Sequence, residues 1–454
     1  MTQTAGLPEP PSQLPARLGR RLPQGLRAFQ HHNFRVFWFG MLISLVGTWM
    51  QQVGQAWLVL ELTSDPVALG LVAAAQFTPV LFFGLFGGLV ADVFPKRNLL
   101  IATQLASGIL ALILGVLVVT GLVQVWHVFV LALLLGVVSA FDMPVRQAFV
   151  VEMVGREDAA NAVALNSAVF NLTRIVGPAV AGLTIASIGM EPLFFVNALS
   201  YVAMIAAILS MRAHELKPLT EKAVLERNLR SVIDRLVEGL RYTRSNKTIF
   251  VAITTLGVVS TFALNFSVMI PLVARDLLGG DADTYGFLMS ATGVGSFISA
   301  ISVAFGRRPT MLRLVLGAAL VGLGMMGLGF SRSLPLSLFL MFVVGWGVIA
   351  MAATCNTLIQ LDVPDILRGR VASVYTTVFA GSTPVGGLFS GTVAALGGTA
   401  APLIIGGAVA FLAAGLGFLR IPGGGSRARD MSWLDRARDA RDTCEVPAGD
   451  RGRV

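Results

Sequence analysis

The sequence predicts an all-α polytopic membrane protein whose twelve transmembrane helices form two parallel six-helix repeats. The first observation is composition: 55% of the 454 residues are hydrophobic and only 13% are charged, against roughly 25% charged in soluble domains. The second is a succession of apolar runs, each long enough to cross a bilayer core about 30 Å thick. The third is the crowding of Lys and Arg into the segments between particular runs, which is typical of cytoplasmic loops.

The apolar runs fall into two sets of six, separated by one long polar stretch. They predict a cytoplasmic N-terminal tail at 1–33, a six-helix bundle at 34–211, a cytoplasmic loop at 212–247, a second bundle at 248–420 and a cytoplasmic C-terminal tail at 421–454. The first tail has no apolar core of the kind that a cleaved signal peptide needs. The predicted helices lie near 35–60, 67–91, 98–120, 125–141, 161–186, 192–211, 248–274, 284–305, 311–330, 335–360, 368–395 and 400–420.

The loop at 212–247 contains a second kind of pattern. Its apolar residues recur at spacings of three and four while charged residues fill the other side, which predicts an amphipathic helix on the cytoplasmic surface. A plain linker is the alternative. The apolar positions are Leu229, Val232, Ile233, Leu236, Val237 and Leu240.

The distribution of positive charge predicts the orientation in the membrane. Twelve spans place both termini on one side, and on that assignment all but three of the 34 Lys and Arg residues are cytoplasmic. The exceptions are Arg174, Arg275 and Arg332. We therefore expect a multi-pass protein of the cell membrane with cytoplasmic termini, and its net charge of +9 reflects topology and not a nucleic-acid partner.

The two halves resemble each other in sequence. With a shift of about 209 residues, a phenylalanine and two glycines of the fifth helix fall on the same residue types in the eleventh, and Gly70 and Gly286 both begin a helix of their half. Parallel repeats of this kind place a binding site near the midplane between the halves. The matched pairs are Phe170 with Phe379, Gly177 with Gly386, and Gly182 with Gly391.

The loop after the second helix carries the motif that identifies a family. The sequence from Gly88 to Arg97 resembles the signature Gly-x-x-x-Asp-Arg-x-Gly-Arg-Arg of the major facilitator superfamily, although Val93 and Pro95 depart from it. The resemblance implies the major facilitator fold, and it places Asp92, Lys96, Arg97 and, after the fourth helix, Arg146 at a cytoplasmic gate. An ionic network between Asp92 and Arg146 is the expected closing device.

The fifth helix carries a second motif. Arg174, Gly177, Pro178 and Gly182 resemble the Gly-Pro motif that marks antiporters and drug exporters within this superfamily, although small residues at these positions also suit an ordinary close helix contact. With stretches at 142–149 and 368–373, the resemblance over about 30–420 favours the drug:proton antiporter branch that includes macrolide efflux proteins and enterobactin exporters.

Polar residues on apolar spans give candidates for substrate binding. In this superfamily helices one, four, seven and ten line the central cavity, so we expect Gln51, Gln55, Asn265 and Trp346 to face substrate. Hydrogen bonding between helices is the alternative. Glu61, near the end of the first helix, is the first candidate for proton coupling and a possible partner of Arg174, whose charge at membrane depth is costly without one.

These features predict a secondary active exporter of amphipathic small molecules of drug, macrolide or siderophore type, working by alternating access with proton antiport. An importer of a small nutrient and a non-transporting receptor-like relative stay open as alternatives. The four histidines are not spaced for a metal or a general base, and no Walker phosphate-binding motif is present. We therefore expect no enzymatic activity, no cofactor and no metal. The expected partners are membrane lipid, a small-molecule substrate and protons, with a monomeric protein.

Overall fold

The computed structural model describes residues 24–217, 229–305 and 310–420. The described part consists of helices and short connections, without strands. The first half contains a short 3-10 helix, Gln24–Gln30, followed by α1 (His32–Thr63), α2 (Pro66–Val93), α3 (Lys96–Val119), α4 (Val125–Val154), α5 (Ala159–Ile188) and α6 (Glu191–Leu209). A 3-10 turn, Ala213–Glu215, and α7 (Leu229–Ser245) lie in the connection between the halves.

The second half repeats the arrangement with one interruption. Its helices are α8 (Lys247–Ala263), α9 (Phe266–Leu272) with a π-helical turn at Val273–Leu277, α10 (Ala282–Ala304), α11 (Met311–Phe330), α12 (Leu334–Asp362), α13 (Asp365–Gly397) and α14 (Ala400–Leu419). Together α8 and α9 form one span, which was predicted as a continuous helix but is broken at Leu264 and Asn265. The twelve spans of the predicted fold are thus confirmed.

Eleven of these spans are long and apolar enough to cross a membrane by themselves. The twelfth, α13, has 33 residues but carries Gly, Ser and Thr along its length. Its buried face includes Ser382, Gly386, Gly387, Ser390 and Gly391. Small residues of this kind permit the close helix packing on which membrane proteins depend, so α13 is held by its neighbours more than by its own hydropathy.

Helix α4 is longer than the sequence predicted, because it continues to Val154 and not to about residue 141. The added turns bury Val145, Phe149 and Met153. They also pair Asp142 with Arg146 across one helical turn, a spacing that supports a helix.

We define the two ends of the bundle by their loops. The basic end carries the connections at 94–95, 155–158, 210–217 and 363–364, and the opposite end carries those at 64–65, 120–124, 189–190, 278–281, 331–333 and 398–399. One apolar cluster includes buried residues of both halves, among them Val59, Leu69 and Tyr285. At the basic end the first half has a separate cluster around Phe37 and Phe149. The shared core therefore joins the halves away from the basic end.

The internal repeat has a structural counterpart. Gly177 on α5 packs against Trp49 on α1, and Gly386 on α13 packs against Asn265 after α8. The helix that bears each glycine thus meets the first span of its own half. This equivalence confirms the two six-helix repeats predicted from the sequence.

Candidate functional site

Helices α2 and α13 hold the halves together toward the opposite end. A Cβ atom added at Gly70 would lie 2.5 Å from the carbonyl oxygen of Gly387, and one added at Gly391 would lie 2.5 Å from that of Pro66. Real Cβ atoms do not approach oxygen so closely, so these positions admit only glycine at the present helix separation.

Helices α5 and α10 make the symmetry-related contact, and the Gly-Pro motif lies in it. A Cβ atom added at Gly182 would lie 2.8 Å from the carbonyl oxygen of Ala282, and one at Gly286 would overlap the carbonyl oxygen of Pro178. Nearby, the hydroxyl of Ser290 donates a hydrogen bond to the backbone oxygen of Ile175 at 2.8 Å. The motif therefore forms part of the contact between the halves.

Polar contacts add to this closure at the opposite end. Nη1 of Arg275 lies 3.3 Å from both the carbonyl oxygen of Leu60 and the hydroxyl of Ser64, at the C-terminus of α1 in the other half. Asp276 pairs with the same guanidinium at 2.9 Å and accepts a hydrogen bond from Thr399 at 2.6 Å. We call these five residues the Arg275 network. A cation at a helix C-terminus is favourable because free carbonyl groups concentrate there.

The structure describes the contacts of three of the four predicted cytoplasmic gate residues. The side chain of Asp92 lies outside the described residues, so its predicted contact with Arg146 stays a prediction. The partner that the structure gives Arg146 is Asp142, at 2.6 Å. Asp142 also accepts hydrogen bonds from Thr103 at 2.7 Å and Gln104 at 2.8 Å. This network connects α3 to α4 within the first half.

The two basic residues of the loop motif likewise bind within the first half. Lys96 pairs with the largely buried Glu152 at 2.7 Å, and Arg97 donates to the carbonyl oxygens of Ile208 and Leu209 at the end of α6. Sequence reasoning did not single out Asp142 or Glu152 as partners. The i, i+4 spacing of Asp142 and Arg146 was the available signal, but α4 was predicted to end before it.

The four predicted cavity residues do not converge on one hydrogen-bond network. Gln51 is buried between α1 and α6, where its side-chain oxygen accepts a hydrogen bond from Asn197 at 2.6 Å. This is the interhelical role that the sequence left as the alternative. Gln55 contacts Gln76 on α2 at the long distance of 3.4 Å.

The other two lie in the second half. Asn265 is buried at the break between α8 and α9, and its amide donates to the carbonyl oxygen of Thr261 at 2.8 Å. Trp346 is half-buried on α12, close to Gly295 on α10. Their contact with substrate stays a prediction.

Arg174 lies at the middle of α5, halfway through the bundle. Its guanidinium carbon is 5.9 Å from the centre of the Trp49 ring, which itself packs edge-on against Phe170. Its Nε atom is buried and has no hydrogen-bond partner among the described residues. Ser167 and Asn171, earlier on the same side of α5, do not bond to it, because Asn171 donates to the backbone oxygen of Ser167 and Ser167 donates to that of Val163.

Glu61 is not the partner of Arg174. It is exposed near the end of α1, twelve residues beyond Trp49, which corresponds to about 18 Å along a helix. The suggested pairing is therefore wrong for this conformation. The role of Glu61 in proton coupling stays a prediction.

Comparison with known proteins agrees with this architecture. Residues 24–443 match the family model described as transmembrane secretion effector. The chain belongs to this family of the major facilitator superfamily. It is 30% identical over 78% of its length to the multidrug efflux pump Tap of Mycolicibacterium fortuitum, covering 88% of that protein.

Two further relatives carry transporter names. The staphyloferrin A transporter of Staphylococcus aureus is 25% identical over 78% of this chain and 87% of its own. Macrolide efflux protein A of Streptococcus pyogenes is 22% identical over 79% of this chain and 88% of its own. Membership of the family, a multi-pass membrane location and the likeness to efflux proteins are thus confirmed.

Solved structures share the fold at low sequence identity. The nucleoside transporter NupG superposes with a TM-score of 0.69 at 11% identity, over 86% of this chain and 100% of that one. A bacterial homologue of the human lysosomal transporter Spinster, in an inward-facing and occupied conformation, gives 0.68 at 12% identity, over 86% and 97% of the two chains. The major facilitator fold follows from these superpositions.

Proposed function

We propose that this member of the family is a proton-coupled antiporter of the cell membrane that exports amphipathic small molecules of drug, macrolide or siderophore type by alternating access. The observation that carries the proposal is the one-sided closure of the halves. The glycine contacts and the Arg275 network lie toward the opposite end, while each charged pair described at the basic end lies within one half or joins it to the connecting helix α7. Two rigid halves joined at one end are suited to rocking about a central site.

The proposal includes an orientation. The basic end is placed in the cytoplasm because Lys and Arg are retained on that side during insertion, which makes the closed opposite end the outer one and the present conformation inward-facing. A fluorescent protein fused after Val454 should then fluoresce and stay protected from external protease in intact cells. Cleavage of the fusion in unbroken cells would reverse the orientation.

The proposal also names the partners. The protein acts as a monomer in lipid, takes a small molecule from the inner leaflet or cytoplasm, and uses protons as the coupling ion without a nucleic-acid partner. Glu61 is the candidate carboxylate for coupling, since no ion pair neutralises it among the described residues and intramembrane acids in transporters commonly relay protons.

The test is drug accumulation in an efflux-deficient bacterial host. Cells that express the protein should accumulate less macrolide or fluorescent drug than cells with an empty vector, and a protonophore should abolish the difference. The E61Q variant should lose most of the effect. The D65N variant provides the control, because Asp65 is exposed in the next turn and caps α2 by accepting from Val67. Greater accumulation in expressing cells would indicate import, and unchanged accumulation of a broad drug panel would contradict transport of this class.

A further inference from the structure

We infer that the guanidinium group of Arg174 binds a carboxylate of the transported molecule, so that among the proposed amphipathic substrates the exporter prefers organic acids. The inference rests on the proposed function and names its substrate class. It starts from a charge that no residue in the described part of the chain neutralises. None of the described residues forms an ion pair with Arg174 or accepts a hydrogen bond from it, and its Nε atom is buried without a partner.

The nearby carboxylates of the first half are otherwise engaged or distant. Asp142 pairs with Arg146 and Glu152 pairs with Lys96, both toward the basic end. Glu61 is about 18 Å along α1 from the Trp49 ring on which Arg174 lies. An unpaired arginine at the centre of a transmembrane helix is costly to insert into a membrane. A ligand that supplies the missing anion offsets this cost.

The geometry of α5 directs Arg174 toward the junction of the two halves. At about 100° per residue, it lies about 60° from Gly177 in one direction and about 40° from Pro178 in the other. Gly177 faces α1 of its own half, and Pro178 faces α10 of the other half. The side of α5 turned away from Arg174 carries Leu172 and Val176, which are exposed apolar residues suited to lipid.

The surroundings fit an acid with an apolar body. The guanidinium presents a planar fork of donors that matches a carboxylate, and the Trp49 ring lies beside it. One turn nearer the basic end, Phe170 lies about 40° from Arg174 around the helix, is exposed, and packs edge-on against Trp49. A bound acid would place its carboxylate on Arg174 and its hydrocarbon on these two rings.

Binding to the whole protein in lipid nanodiscs tests the assignment. The probes are pyrenebutyrate and the neutral 1-pyrenebutanol, which share one hydrophobic group, and the readout is quenching of tryptophan emission at pH 7.5. The wild-type protein should bind the acid at least about tenfold more tightly than the alcohol, since a charge-assisted hydrogen bond contributes about that factor. The R174Q variant should bind both equally, and the difference between variants is independent of probe partition into lipid.

The matched control is R332Q. Arg332 is exposed in a turn at the opposite end and binds only local carbonyl groups among the described residues, so its replacement should leave the preference for the acid intact. Equal binding of both probes by the wild-type protein would overturn the inference, as would an undiminished preference in R174Q.

A second measurement uses the wild-type protein alone, so that the test does not depend on the folding of R174Q. Phenylglyoxal modifies arginine, and mass spectrometry reports the modified fraction at each site. Pyrenebutyrate should slow the modification of Arg174 but not that of Arg332, and pyrenebutanol should slow neither. Absence of protection by the acid, or equal protection by both probes, would refute carboxylate binding.

The binding result is distinguishable from failure of the proposed function. Preference for the acid without any drug export would support carboxylate binding at Arg174 and contradict the proposed export. Export of neutral drugs by a protein that binds both probes equally would support the proposed export and contradict carboxylate binding at Arg174.

Discussion

At the residue scale, Asp158 binds residues at and next to the N-terminal 3-10 helix, Gln24–Gln30, and so holds that helix against the bundle. Its carboxylate lies 2.9 Å from Nε2 of His31 and 3.5 Å from Nε of Arg27. Asn161, one turn further on, accepts a hydrogen bond from the backbone of Ala28. The hydrogen bond from His31 is the main cause that holds the pKa of Asp158 below its usual value near 3.8.

This depressed pKa predicts a pH-dependent contribution to stability. A carboxyl group whose pKa is lowered by folding stabilises the folded state above its unfolded pKa, and the stabilisation disappears as pH falls through the folded pKa. The difference in unfolding temperature between wild type and D158N should therefore be present at pH 5 and shrink toward pH 3. Thermal unfolding in detergent at both pH values measures it.

The neighbouring residue provides the control. Glu157 is exposed in the same turn, so E157Q should differ from wild type by the same small amount at both pH values. A D158N difference that grows on acidification would contradict the sign of the pKa shift.

At the residue scale, the sequence located side chains along the chain but did not determine their partners. Lys96, Arg97 and Arg146 lie at the basic end of the bundle, and their role at a gate stays a prediction. Their partners depend on how α3, α4 and α6 turn about their axes, which spacing in one helix does not determine. The hydrogen bond between Gln51 and Asn197 could not be predicted for the same reason, because the two residues are 146 positions apart in the chain and meet only when α1 packs against α6.

At the element scale, glycines set the distance between α2 and α13. Gly70 lies at the contact, whereas Gly84 on the same helix has open space where a Cβ atom would be. Alanine at Gly84 would therefore test helix propensity alone, whereas alanine at Gly70 would also test the packing of α2 against α13.

The G70A variant should be destabilised and G84A should not. Adding a methyl group against the carbonyl oxygen of Gly387 forces the helices apart, and overpacking of this kind costs about 1–3 kcal/mol. At Gly84 the methyl group meets nothing and improves helix propensity by up to about 1 kcal/mol. The unfolding temperature of each variant, measured by intrinsic fluorescence in the same detergent, should fall for G70A and stay level or rise for G84A. An equal decrease in the unfolding temperature of both variants would contradict a specific role of the Gly70 contact.

The sequence predicted which helices are present better than it predicted where they begin and end. Apolar runs located all twelve spans, because the bilayer imposes one length on each of them. The continuation of α4 to Val154 and the break of the seventh span at Leu264 depend on burial against neighbouring helices. The helix expected in the central loop is present as α7, although Val237 and Leu240 of its predicted apolar face are exposed, while Tyr242 and Thr243 are buried.

At the scale of the whole molecule, the Arg275 network joins the halves through groups that the rocking motion proposed above must separate. Its hydrogen bonds run from the end of the seventh span to the last turn of α1. Because Arg275 is partly exposed, each bond contributes only about 0.5–1.5 kcal/mol, enough to change the ratio of two conformations severalfold.

The R275Q variant should therefore increase the population that is open at the opposite end. Spin labels are attached to L122C and L336C, one exposed position in each half near that end. Double electron–electron resonance then measures the distance between the two labels. Replacement of Cys444 by serine removes the thiol of the tail. The distribution should gain a longer distance in R275Q and stay as in wild type in R332Q. An unchanged distribution in R275Q would show that the glycine contacts alone hold the end closed.

The repeat and the two-half architecture were predictable because the same pattern of apolar runs and glycines occurs in both halves of the sequence. The equivalent packing of Gly177 and Gly386 in the two halves is an example. The end at which the halves meet was not predictable, since the two conformations that the proposed alternating access requires use the same helices and differ only in the contacts between them.

The connection between the halves is anchored at each end to a different half. Before it, the backbone of Lys217 donates to the carbonyl oxygen of Glu152 on α4 at 2.8 Å. After it, Gly239 on α7 packs against Arg370 on α13, which also pairs with Glu238. Twelve peptide bonds join Lys217 to Leu229, and a fully extended chain of that length spans at most about 40 Å. This covalent limit holds in every conformation, so these two residues cannot move farther apart than that while the chain is intact.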